Sequence, residues 1–211
     1  MTAAQRTDAE KAAQSGNVDA MVLAGEANLH GDAGALDKKA AFHWFDSASN
    51  LDDPEAKRWL AESYLQGWGT EPDANRAVKL LDASATAGDV EAKNLLGFCY
   101  ASGMGVPQDE AKAFGLFNEA YEAGVPAACS NLGAMYLRGR GTVPDAARAV
   151  ALFFEGAKKG NPESMQLYAQ ALEYGTSVAS DEGEARLWYQ QAARLGNAEA
   201  INWCKKKGVA Y

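Results

Sequence analysis

The sequence predicts an all-α fold: an α/α solenoid of about five 36-residue helix–turn–helix repeats with a capping helix at each end. Three observations carry this. The segments NVDAM, DPEAK, DVEAK, VPAAC, NPESM and NAEAI place Ala20, Ala56, Ala92, Ala128, Ser164 and Ala200 at a constant spacing of 36 residues, without insertion or deletion. Other columns then fall into register, among them a glycine series (Gly16, Gly88, Gly124, Gly160, Gly196, with Asp52 in its place once) and Leu60, Leu96 and Leu132. A third series, Asp37, Asp73, Asp109, Asp145 and Asp181, runs unbroken through all the units. A period of this length marks a structural unit too small to bury its own apolar face.

Taken in chain order, residues 3–15 match the second helix of a repeat, with its bulky columns replaced by Asp8 and Ala9, and so predict a polar N-terminal capping helix within 1–15. The repeats occupy 16–51, 52–87, 88–123, 124–159 and 160–195. The first helix of the first repeat is predicted over residues 18–30, with the others at equal steps. Asn17, Asp53, Asp89, Asn161 and Asn197 stand where an acceptor is needed for the free amides of the first turn, and Pro54 and Pro162 suit the first helical position. Val125 breaks this series and predicts a weaker start. Paired glycines, as in Gly67-Trp68-Gly69, Gly103-Met104-Gly105 and Gly139-Arg140-Gly141, stop the first helix.

The recurring aspartate caps the second helix, and Asp181 with Glu184 has the pattern of a capping box. That helix carries Trp44-Phe45, Leu80-Leu81, Leu116-Phe117, Leu152-Phe153 and Trp188-Tyr189, followed one turn later by Ala48, Ser84, Ala120, Gly156 and Ala192. Large residues fill the core and small ones let helices approach. Stacking the hairpins buries a stripe that none could bury alone. Residues 196–207 match a lone first helix ending in Lys205-Lys206-Lys207, which makes 196–211 a polar C-terminal cap. Polar ends on both sides predict a monomer.

These columns resemble the Sel-like repeat family, a branch of the tetratricopeptide-related α/α solenoids, over nearly the whole chain. The carriers are Leu-Gly at 96–97 and 132–133, Tyr64, Tyr100 and Tyr136, the Gly-x-Gly turns, and the Asp and Trp or Phe columns. Asn28 replaces the tyrosine, Gly31-Asp32-Ala33 lacks the second glycine, and Gly175-Thr176-Ser177 has serine there, so these two turns are expected to differ from the central three. The resemblance implies a right-handed superhelix with the first helices lining its concave face. It also implies a role as adaptor or scaffold in protein complexes, often in bacteria. Some members carry a regular cysteine pair in each repeat; this chain does not.

Composition narrows the function. With 20 Lys and Arg against 28 Asp and Glu, the net charge of −8 disfavours nucleic acid and anionic membranes. No apolar run is long enough to span a bilayer. The start, MTAAQRTDAEKAAQSGN, lacks the apolar core of a secretion signal, which points to the cytoplasm; removal of a signal would leave the periplasm or the exterior open. Cys99, Cys129 and Cys204 fit neither a disulfide framework nor a zinc site and read as buried small residues. His30 and His43 fall on different helices, and the Gly-x-Gly segments lack the Gly-Lys-Ser of a phosphate loop. No catalytic, cofactor-binding or metal-binding residue is predicted. The protein is expected not to be an enzyme.

What remains is a binding surface for another protein. If the anchor, leucine and glycine columns pack inward, residues two, six, nine and ten after each anchor point outward. Candidates from these positions are Glu26, Arg58, Glu62, Leu65, Asn94, Phe98, Ser130, Arg138, Gln166, Gln170 and Tyr174. Phe98 is either a partner anchor amid polar groups or a residue covered by the next repeat. Trp68, at the tip of a turn, is either a second anchor or folded back over its own repeat. Arg138 and Arg140 form a small basic spot. Two functions fit: a scaffold or adaptor holding a partner protein, and a dedicated inhibitor such as a cytosolic immunity protein, which an acidic concave face opposite a basic target would favour.

Overall fold

Every helix of the chain is about as long as three to four turns allow, because a cap opens it and a glycine or a bend closes it. The computed structural model describes residues 1–31, 34 and 36–211. Among the described residues there are twelve helices and no strand: α1 (Ala3–Gln14), α2 (Val18–His30), α3 (Lys38–Ser49), α4 (Pro54–Gln66), α5 (Ala74–Thr86), α6 (Val90–Ser102), α7 (Glu110–Glu122), α8 (Pro126–Arg138), α9 (Ala146–Lys158), α10 (Pro162–Tyr174), α11 (Glu182–Arg194) and α12 (Ala198–Lys207). Even-numbered helices are the first helices of repeats. Residues 1–108 form one compact unit and 109–211 a second. Within each unit, successive helices pack side by side, as in an α/α solenoid. No helix among the described residues is long and apolar enough to cross a membrane.

The capping logic is visible in both helix types. Asp53, Asp89, Asn161 and Asn197 accept from amides of the first turns of α4, α6, α10 and α12, and Val125 makes no such bond at α8. Asp73, Asp109, Asp145 and Asp181 do the same for α5, α7, α9 and α11. Each cap is worth about 1 kcal/mol. The expected capping box at α11 is only half present: Asp181 accepts from the Glu184 amide, but the Glu184 carboxylate accepts from Trp188 Nε1 at 3.1 Å instead of reaching back. A complete box opens α1, between Thr2 and Gln5.

Each second helix contributes at least one large buried residue to the core, set against small ones. Phe45, Leu81, Phe117, Phe153 and Tyr189 are buried, and so are Ala48, Ser84, Ala120, Gly156 and Ala192. Gly133 lies against the Phe153 ring so closely that a Cβ there would collide with it. Burying an aromatic side chain of this kind contributes about 1.5–3 kcal/mol.

The corner glycines do more than end a helix. Gly69, Gly105 and Gly141 take φ of 72°, 72° and 66°. A Cβ at these positions would collide with the carbonyls of Lys38, Ala74 and Glu110 respectively. Each corner is therefore seated on the start of the preceding second helix. The turn at 175–177 was expected to differ, yet Ser177 adopts φ of 54°, within the same left-handed region. Its backbone follows the glycine pattern and carries the strain of a side chain. The other departing turn, Gly31-Asp32-Ala33, lies outside the described residues beyond Gly31, whose φ is 71°. Asn28, which replaces the tyrosine, is buried and accepts a hydrogen bond from Arg6 of α1. Arg6 stands 22 residues before Asn28, the spacing at which Phe42 meets Tyr64 and Phe114 meets Tyr136, so a polar pair replaces an aromatic one.

Candidate functional site: the exposed stripe of the first helices

The first helices bury most of their circumference, so what stays outside is narrow. With about 100° per residue, the anchor alanine and the residues four, five, seven and eight after it form the packed side. The residues exposed or half-buried in every repeat stand one before the anchor and three, six and ten after it. In the first unit these are Asp19, Leu23, Glu26 and His30 on α2; Glu55, Trp59, Glu62 and Gln66 on α4; and Glu91, Leu95, Phe98 and Ser102 on α6. In the second unit they are Ala127, Asn131, Ala134 and Arg138 on α8, and Glu163, Leu167, Gln170 and Tyr174 on α10.

This corrects the outward face expected from the sequence. The column two after the anchor is buried throughout: Val22, Arg58, Asn94, Ser130 and Gln166 are 7%, 7%, 8%, 4% and 3% exposed. The column nine after it is mixed, with Leu65 half-buried. The true stripe is rotated by roughly 50° from the expected one, counted at about 100° per residue. Arg58, Asn94, Ser130 and Gln166 therefore face neighbouring helices. Ser130 donates to the Ala127 carbonyl at 2.8 Å. Trp68 is half-buried and packs against the cluster of Leu29, Ala41, Phe45 and Leu60, so it is folded back and not a free tip. Phe98 is 46% exposed and Tyr174 70%.

In the first unit the stripe is acidic. Asp19, Glu26, Asp53 and Glu55 line a pocket of about 290 Å³ floored by Val22 and Leu23. Burial and the neighbouring Glu55 push the Glu26 carboxyl above its usual range. Beside it, Arg58 is held by four carboxylates: Asp89 at 3.0 Å, Glu55 at 3.1 Å, and Glu62 and Glu91 at 3.3 Å each. Burial alone would lower the Arg58 pKa, but Asp89, Glu91 and Glu62 together raise it. Burial raises that of Glu62, more than Arg58 lowers it. Arg58 also lies over the Trp59 ring at 4.9 Å, and that indole stacks on Phe45.

In the second unit the stripe is mixed, with Asn131, Arg138, Glu163 and Gln170 among alanines, Leu167 and Tyr174. Arg138, Gln170 and Tyr174, all expected from the sequence, rim one cavity of about 400 Å³. Its walls are Leu137 and Leu167, and its floor is Val150, Phe153 and Ala171. Phe98 and Trp68 join neither pocket described here. Sequence reasoning missed the columns before the anchor and three after it; the run Asp19, Glu55, Glu91 in one column was the signal.

Reactive chemistry is sparse. Burial pushes the Cys99 thiol up to about 11 and raises Cys129 and Cys204. Among the described residues no group of three or more His, Cys, Asp or Glu is placed to hold a metal ion.

Comparison with known proteins agrees with this geometry. The model of the Sel1 repeat family matches residues 18–53, 54–89, 90–125, 126–161 and 162–197. Among solved structures, a Sel1 repeat protein from Oxalobacter formigenes is similar at 26% identity and a TM-score of 0.74, over 88% of this chain and 74% of that one. A protective antigen of uropathogenic Escherichia coli with an SLR fold is similar at 26% identity and a TM-score of 0.69, over 95% of this chain but 44% of the antigen. An immunity protein from Pseudomonas aeruginosa shares the fold at 18% identity and a TM-score of 0.62, over 87% of this chain and 67% of that one. No curated protein matches the sequence significantly.

Proposed function

Since the chain belongs to the Sel1 repeat family, whose members are generally protein-interaction scaffolds and typically not catalysts, we propose that it is a non-enzymatic scaffold or adaptor that holds another protein along the exposed stripe of its first helices. The observation that carries this is the presence of Leu23, Phe98, Leu137 and Tyr174 on first helices at 43%, 46%, 39% and 70% exposure. Leaving so much of these apolar side chains in water has no folding benefit. Aromatic residues with arginine nearby are what protein interfaces concentrate at their centres.

The test is capture of the native partner by the purified chain, compared with the double variant Phe98→Ala, Arg138→Ala. Weaker capture with an unchanged helical melting curve supports the reading; equal capture removes the stripe as the docking site. A second reading, a dedicated inhibitor of a basic protein of the kind that immunity proteins exemplify, is favoured by one observation. Asp19, Glu26, Glu55, Glu62 and Glu91 place five carboxylates on the stripe of the first unit. It predicts a tight one-to-one complex that salt loosens steeply.

A further inference from the structure

Arg138 is the charged side chain in the lining of the second unit's cavity. Arg138 ends α8 at its rim. Among the described residues no ion pair involves it, whereas its neighbour Arg140 pairs with Glu110 at 3.6 Å. The carboxylates nearest in sequence on α10 are engaged elsewhere. Glu163 accepts from Asn197 at 2.9 Å, and Glu173 accepts from Tyr189 at 3.0 Å and Trp203 at 3.1 Å. Apart from Arg138, Gln170, Thr176 and the Tyr174 hydroxyl the cavity lining is apolar, and it reaches the core residues Val150 and Phe153, which are 3% and 2% exposed.

Resting on the scaffold reading, we infer that this cavity is the anchor point for a partner segment with a large apolar side chain beside a carboxylate, the apolar group seated on Val150, Phe153 and Leu167 and the carboxylate on Arg138. Charge complementarity selects the acid: an arginine fork pairs best with a carboxylate, and a basic segment would face an unscreened like charge. Openness selects a protein segment over a small molecule. Small-molecule sites enclose most of their ligand, whereas Tyr174 at the rim is 70% exposed and free to lie against a passing chain. Gln170, also exposed at the rim, offers both a donor and an acceptor to the backbone of that chain.

The experiment is selection of a phage-displayed random peptide library on the full chain, followed by anisotropy titration of the winning synthetic peptides. The expected winners place Phe, Leu, Ile or Met within two residues of Asp or Glu. Arg138→Glu and Tyr174→Ala, both at exposed positions, should each weaken binding by about tenfold or more. Replacing the peptide's acid by lysine should restore binding to Arg138→Glu, a rescue that a merely misfolded variant cannot give. Winners rich in Lys or Arg that lose affinity with Glu26→Gln and Glu55→Gln would overturn the cavity and leave the scaffold reading standing on the first unit. Winners indifferent to all four variants, or no winners, also overturn it. The scaffold reading itself falls only if the native partner ignores the stripe.

Discussion

Arg58 and Gln166 occupy the same column, one in each unit, and both are buried. The first is the centre of a four-carboxylate cluster. The second has a side-chain oxygen, Oε1, with no hydrogen-bond partner. Register decides that this position is inside; it does not decide what chemistry goes there. The first unit has filled the site with charge that must stay paired, and the second with an amide that is under-used. Around these positions the stripes differ too, acidic in the first unit and mixed in the second, where Arg138 rims an open cavity.

The largest test of that contrast is Arg58→Met. It keeps the volume but leaves Asp89 and Glu62 without their cation, and unfolding by denaturant should show a loss of about 3 kcal/mol. A loss under about 1 kcal/mol would place the cluster with ordinary surface pairs. Ser177→Gly comes next: relief of the left-handed serine should stabilise the second unit by about 1 kcal/mol. The partner test to Arg58 is Gln166→Leu, which removes an acceptor that is buried and unused. It should be neutral or stabilising by less than about 1 kcal/mol, and a clear loss would reveal a partner for the amide.

The smallest effect is a pH dependence. Burial holds the Glu26 carboxyl above 4.5 in the folded chain. The folded state thus takes up the proton more readily than the unfolded one, so this residue favours folding most in acid and loses that contribution as pH rises through the raised value. Glu26→Gln should gain a few tenths of a kcal/mol at neutral pH, fading as pH falls to 4.5 and below. Melting temperatures across that range check the sign.

The sequence made the helices and their ends legible because caps, corners and anchor alanines each have a single physical duty. Asp73 or Gly141 permits few readings. The stripe was harder, since it was inferred as whatever the packed columns left over, and a shift of half a column moved Arg58 and Gln166 from outside to inside. Side-chain length decided the rest. Arg58 is long enough to reach Asp89 in the next repeat, and Trp68 is large enough to turn back onto Leu29 and Phe45. Arg6 and Asn28 keep the 22-residue spacing at which Phe42 meets Tyr64, so the pair is in register, but its change from ring contact to hydrogen bond depends on two substitutions at once.

Asp89 uses its two oxygens for different neighbours. Oδ1 accepts from the amides of Glu91 and Ala92 at the start of its own helix, and Oδ2 accepts from Arg58 in the repeat before. A single carboxylate thus belongs to two modules at once. Anyone shuffling repeats of this chain into new arrays cannot treat the boundary at residue 88 as a clean cut. A module transplanted without its upstream arginine would arrive with half of a shared fastener, and the order of the repeats becomes part of the information the sequence encodes.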